Sequence, residues 1–128
     1  MAGLRIDPSS PTPIWSQIED GVRRLVASGA LKPGASVPSV RDLAKDLRIN
    51  PATVGKAYQR LTDAGVLTVR RGDGTYVADA PPAMSRAERA RILREAAGRF
   101  ADLASTLGVT QEEAQDALRT AWKKGGTS

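Results

Sequence analysis

The chain has 128 residues, with 19 Lys and Arg against 14 Asp and Glu, a formal net charge of +5 and a pI of about 10.1. It contains no cysteine and no histidine, which excludes disulfides, Cys/His zinc sites and Cys or His nucleophiles and bases. Hydrophobic residues make up 41% of the chain and aromatics only 4%, so a core of Leu, Val, Ile and Ala is expected, while the basic balance favours a polyanionic partner without proving one.

Residues 1–11 are rich in Pro and Ser and read as an extended lead-in. They hold no apolar signal core, and no apolar run approaches the length of a membrane span. The expectation is a soluble cytoplasmic protein without a membrane partner. Thr12–Pro13 reads as a helix start, a hydroxyl cap followed by proline at the first helical position. From there Ile14, Trp15, Ile18, Val22, Leu25 and Val26 fall on one face at helical spacing, and Gly29 ends the helix. Lys32–Pro33–Gly34 is a turn. Ser39 caps a second helix, with Asp42 as a short form of the capping box. Val40, Leu43, Ala44 and Leu47 are its buried stripe, leaving Arg41, Lys45 and Arg48 outside.

After a tight corner at residues 48–50, Asn50–Pro51 opens a third helix that Gly65 stops. Its inward stripe is Val54, Ala57, Tyr58 and Leu61. Thr53, Lys56, Arg60 and Asp63 form the outward row, which carries donors and positive charge toward its middle. Residues 67–69 and 75–78 are β-prone, and Arg70-Arg71-Gly72-Asp73-Gly74 between them makes a hairpin with a basic tip. Residues 80–84 break the composition and read as a linker. Ser85 and Glu88 then cap a long fourth helix, along which Leu93, Ala96, Phe100, Leu103 and Leu107 alternate by three and four. Gly108 ends it. Thr110 and Glu113 open a fifth helix with Ala114, Ala117, Leu118, Ala121 and Trp122 on its apolar face, and KKGGTS is a polar, frayed end.

Helix, helix, turn, helix and basic hairpin is the order of a winged helix-turn-helix. The fold class is therefore mostly α with a small β-hairpin, followed by a short C-terminal helical segment. In that mode the third helix enters the major groove N-terminus first. Thr53, Lys56 and Arg60 then face base edges and nearby phosphates, and Arg41 is placed for the backbone. Arg70 and Arg71 reach the minor groove or flanking phosphates, with Gly72 and Gly74 allowing close approach. Each feature has a plainer reading. A charged row is ordinarily a solvated face, Asn50 is a helix cap before it is a base reader, and an RRGDG segment is commonly only a turn. Their order within one compact stretch makes the joint case. Gly55, inside the third helix, fits close approach to a DNA backbone, or is simply tolerated.

The segments PIWSQI, LKPGASVPSVRDLA, INPATVGKAYQRL and RRGDGTYV together resemble the N-terminal DNA-binding domain of GntR-family bacterial transcription regulators, over residues 10–79. The INPATV–AY–RL form with a short tail is most similar to the YtrA subfamily. The resemblance implies DNA contacts from Arg41, from Asn50, Thr53 and Lys56, and from Arg71, Gly72 and Gly74. It departs from the family at Gly55, where many relatives carry arginine, and at Arg48, where glycine is common.

Residues 85–124, two helices with one apolar face each, either fold back on the DNA-binding part or pair with a second copy. The heptad stripe, and the use of this segment for dimerisation that the resemblance implies, favour a homodimer. Its seam is Leu93, Ala96, Phe100, Leu103, Leu107, Leu118 and Trp122. The expected division is 10–79 for the winged domain, 80–84 for the linker and 85–124 for dimerisation. The function read from this is a dimeric, sequence-specific regulator, a repressor on a palindromic operator, with double-stranded DNA and itself as partners. No cofactor or metal is expected, and a small-molecule effector is not indicated. A non-specific DNA binder and a protein-interaction module that no longer binds DNA are the alternatives. An enzyme has no visible nucleophile–base pair.

Overall fold

The computed structural model describes residues 1–125. Its elements are α1 (Ile14–Ala27), β1 (Ser36–Val37), α2 (Val40–Leu47), α3 (Pro51–Asp63), β2 (Leu67–Arg70), β3 (Gly74–Val77), α4 (Arg86–Leu107) and α5 (Gln111–Gly125). They fall into two compact units, Met1–Ser85 and the residues from Arg86 onward. No described helix is long and apolar enough to cross a membrane.

The first unit is a winged helix-turn-helix. Its core is aliphatic: Ile18 and Val22 of α1, Leu43 and Ala44 of α2, Val54, Ala57 and Leu61 of α3, and Val66, Leu67 and Val77 from the sheet side are all buried. The inward stripes read from the periodicity are those seen. Ser39 caps α2 by accepting from the backbone N–H of Asp42 at 3.1 Å. Asn50 caps α3 by accepting from Ala52 at 2.8 Å, with Pro51 in the first turn. Tyr58 is the one buried residue of the α3 stripe with a polar end, and its hydroxyl donates to the Pro38 carbonyl at 2.7 Å. Burial pushes that phenol's pKa well above its ordinary value, so it stays a donor.

The structure departs from these expectations at four places. The start of α1 lies one residue later than read: Pro13 occupies the cap position, and Thr12 provides no side-chain cap. The Pro13 carbonyl instead accepts from Ser16 and Gln17. The approach of the chain is fixed by the Gln17 amide, which donates to the carbonyls of Asp7 at 2.9 Å and Thr12 at 2.8 Å and accepts from the Asp7 N–H at 2.7 Å. The lead-in is therefore no loose extension. Leu4 is buried against α1 at Gly21, where an added Cβ would stand 2.3 Å from Leu4 Cδ1. A larger residue there would force the Leu4 side chain to shift.

The hairpin is also larger than read. β1 adds a third strand, and the antiparallel order is β1-β3-β2. Ser36 pairs with Tyr76 and Val37 with Thr75. Beyond the ladder, Gly34 donates to Val77 O and Val77 to Ala35 O. A strand of two residues between Pro33–Gly34 and Pro38 is too short to show alternation, so it exists only because β3 offers an edge.

In the second unit α4 ends at Gly108, with φ +71°. Thr110 and Glu113 form the full reciprocal capping box: Glu113 N–H donates to Thr110 Oγ1 at 3.1 Å and Thr110 N–H to Glu113 Oε1 at 3.4 Å. α5 continues through Lys123 and Lys124 to Gly125, farther than the frayed end expected from KKGGTS, whose last three residues lie outside those described. α4 has no buried residue.

Candidate nucleic-acid interface

The corner between α2 and α3 sets the presentation of α3. Arg48 closes α2 in the left-handed region (φ 57°, ψ 49°), the only non-glycine residue with positive φ among those described. The N–H of Ile49 reaches back to the Ala44 carbonyl at 3.0 Å and that of Arg48 to Lys45. The chain thus reverses within three residues, and Asn50 starts α3 at once.

Along the outward face of α3, Thr53 is half-buried and Lys56, Arg60 and Asp63 are exposed. Beyond its chain neighbours and its own helix backbone, Gly55 has no atom within 4 Å of the position a Cβ would take. Lys56 and Arg60 both lean over one ring, that of Trp15 in α1, with Lys56 Nζ 4.4 Å and Arg60 Cζ 4.8 Å from its centroid. Arg60 Nε also donates to Glu19 Oε2 at 2.7 Å. Arg41 is exposed in the first turn of α2. Asn50 has its carbonyl oxygen committed to the cap.

The wing tip is less uniformly basic than the sequence suggests. The Arg70 guanidinium stacks over the Tyr76 ring at 4.0 Å, while Arg71 is exposed and makes no ion pair among the described residues. A hydrogen bond to Asp73, first among the causes, raises the Tyr76 phenol above its ordinary pKa. Asp73 N–H donates to the Arg70 carbonyl, closing the turn. Gly72 has φ +76° and Gly74 φ +147°. Those angles require glycine, so the turn is built on backbone rather than side chains.

The structure thus gathers Thr53, Lys56 and Arg60 on one helix face and puts Arg41 at the start of the preceding helix. It separates Arg70, held on the wing, from Arg71, which points outward. Trp15 and Glu19 were missed as participants, since periodicity placed Trp15 in the core stripe. The signal was present: they are four apart on α1, the spacing of Lys56 and Arg60 on α3, so two one-turn pairs can meet face to face.

The residues named for the seam sit on α4 and α5. Leu93 is 70% exposed, Leu107 67% and Trp122 70%, with Phe100, Leu103 and Leu118 also open; Ala96 is half-buried. Between the two helices lies a groove of about 520 Å³ lined by Phe100, Ala104, Val109, Ala114 and Leu118 among others.

The pattern described as "Bacterial regulatory proteins, gntR family" matches residues 15–77. The HTH-type transcriptional repressor YtrA of Bacillus subtilis is 45% identical over 76 residues, 59% of this chain and 58% of that protein. The structure of YtrA from Sulfolobus acidocaldarius, a GntR-family transcription factor, is 38% identical; the match covers 75% of this chain and 97% of that one with a TM-score of 0.57. The DNA-binding domain of AraR, in complex with operator ORX1, is 26% identical over 59% of this chain and 93% of that one, with a TM-score of 0.52.

Proposed function

This chain belongs to the gntR family of bacterial regulatory proteins, as a YtrA-like DNA-binding transcription regulator and not an enzyme, and from that premise we propose that it is a cytoplasmic repressor acting as a homodimer on a palindromic operator. The observation that carries the reading is the open face of α3. It begins at a first turn capped by Asn50, continues through Thr53 and Lys56, and has no side chain at Gly55 to hold a backbone away. The domains in this reading are 10–79 for DNA binding, 80–84 as linker and 85–124 for pairing. Thr53 and Lys56 read bases in the major groove. Arg41, the first turn at Asn50 and the wing at Arg71, Gly72 and Gly74 hold the phosphates or the minor groove. Arg60 and Arg70, also expected as contacts from the sequence, are engaged within the unbound domain, Arg60 with Glu19 and Arg70 over Tyr76, and this reading sets them apart from those contacts. Two-fold pairing then sets half-sites about one helical turn apart or somewhat more.

Selection of fragments from random DNA by the purified protein tests this directly. A palindromic consensus should emerge. Thr53→Ala and Lys56→Ala should weaken the selected site by about 1–3 kcal/mol while leaving random DNA nearly unchanged. Arg41→Ala should weaken both and flatten the salt dependence by about one unit of slope. No enrichment over random DNA would sink the reading in favour of a non-specific binder. Loss of specificity alone in Arg41→Ala would reverse the assigned roles.

A further inference from the structure

The two cations at the centre of the α3 face are held differently, and the difference bears on how that face discriminates. Glu19 is a buried residue of α1, its side chain only 11% exposed, whereas the Arg60 side chain is 52% exposed. Besides the 2.7 Å bond to Arg60 Nε, Glu19 faces Arg23, with Arg23 Nη2 3.8 Å from Oε1. A carboxylate so placed is poorly served by solvent and depends on these partners, so it holds Arg60 down rather than the reverse. Trp15, one turn earlier on α1, forms the wall on which Arg60 and Lys56 both rest. Lys56 makes no ion pair among the described residues. Arg60 is thus tied to a carboxylate, which it shares with the more distant Arg23, while Lys56 is tied to none among the described residues.

We propose that Glu19 is a positioning residue for sequence discrimination: it withdraws Arg60 from the phosphate backbone, so that α3 presents Lys56 rather than two competing cations. The inference rests on the DNA-reading role of α3 given above. Released, Arg60 would add a phosphate contact that is blind to sequence, raising affinity for all DNA and compressing the ratio between operator and random sites.

The test is a double-mutant cycle with Glu19→Gln and Arg60→Gln in the full chain. Binding is measured on the selected fragment and on random DNA across a salt series, with thermal melts confirming that each variant is folded. Glu19→Gln should bind random DNA about fivefold more tightly near 0.1 M salt and steepen the log–log salt slope by about 0.9 per bound chain. Its operator-to-random ratio should fall. Arg60→Gln alone should keep the wild-type slope, and in that background Glu19→Gln should change nothing. The proposal is overturned if Arg60→Gln alone flattens the slope by about 0.9, because Arg60 would then already hold a phosphate. It is equally overturned if Glu19→Gln steepens the slope alike in both backgrounds, which is a general field effect. Should Glu19→Gln fail to fold, the slope of Arg60→Gln decides the matter alone. A wild-type chain that does not discriminate at all would instead sink the DNA-reading role on which the proposal stands.

Discussion

Arg48 holds a backbone conformation that an L side chain enters only at a cost of about 1–2 kcal/mol. Its side chain is exposed, so nothing in packing requires arginine there. Arg48→Gly should therefore raise stability by about 0.5–1 kcal/mol after the extra freedom of glycine in the unfolded chain is discounted, read as a higher urea midpoint at unchanged m-value. Gly55 presents the opposite case. It lies mid-helix with open space beyond its Cα, so Gly55→Ala should stabilise the unbound protein by about 1 kcal/mol. If glycine is there for close approach to DNA, the same substitution should weaken operator binding while the melting temperature rises. A gain in both would remove the functional reason for this glycine. The sequence already marked both positions, one as a departure from a common corner glycine and the other as a misplaced helix glycine. The cation cluster at Trp15 and Glu19 was not legible, because a periodic stripe reports which face is inward and says nothing of what crosses between helices at its rim.

At the level of elements, the helices were legible and their attachments were not. Apolar spacing, the Asn50–Pro51 start and the Thr110–Glu113 box identify α1 to α5 locally. The N-terminal arm depends on a contact between Leu4 and Gly21, far apart in sequence, and β1 depends wholly on the edge of β3. Neither leaves a local pattern. The arm is a structural part of the first unit: Leu4→Ala should cost about 2 kcal/mol, and exchange of the Asp7 amide, bonded to Gln17, should speed up more than that of the α3 amides. Uniform acceleration through α3 would mean that the arm and the three-helix core open as one. β1 has a related effect on the wing. Because β3 is paired on both edges, the wing is the margin of a sheet rather than a free two-stranded ribbon, and its tip inherits that order.

Across the whole molecule, apolar exposure is uneven. Leu93, Phe100, Leu103, Leu107, Leu118 and Trp122, all in the second unit, are open to solvent, while among large hydrophobics of the first unit Val69 is comparably exposed. Two helices of this size cannot bury a sufficient core by themselves. That is the physical case for a second copy, and the heptad stripe carries the same argument in the sequence. Phe100→Asp should convert the protein to monomers by sedimentation equilibrium. Operator affinity should then drop by about 10²-fold or more as the benefit of linked half-sites is lost. A dimer that survives Phe100→Asp would move the seam elsewhere on α4 and α5, and a wild-type monomer would remove it.

The ring that carries Lys56 and Arg60 has an optical consequence. The chain has two tryptophans, Trp15 in the first unit and Trp122 in the second. Trp15 emits from beneath two cations on the α3 face, and Trp122 emits from the exposed side of α5. Replacing either one with phenylalanine leaves a single tryptophan to be excited selectively on the red side of the tyrosine band. The protein thus carries its own separate reporters, one for events at the exposed face of α3 and one for events on the C-terminal helices, with no label attached.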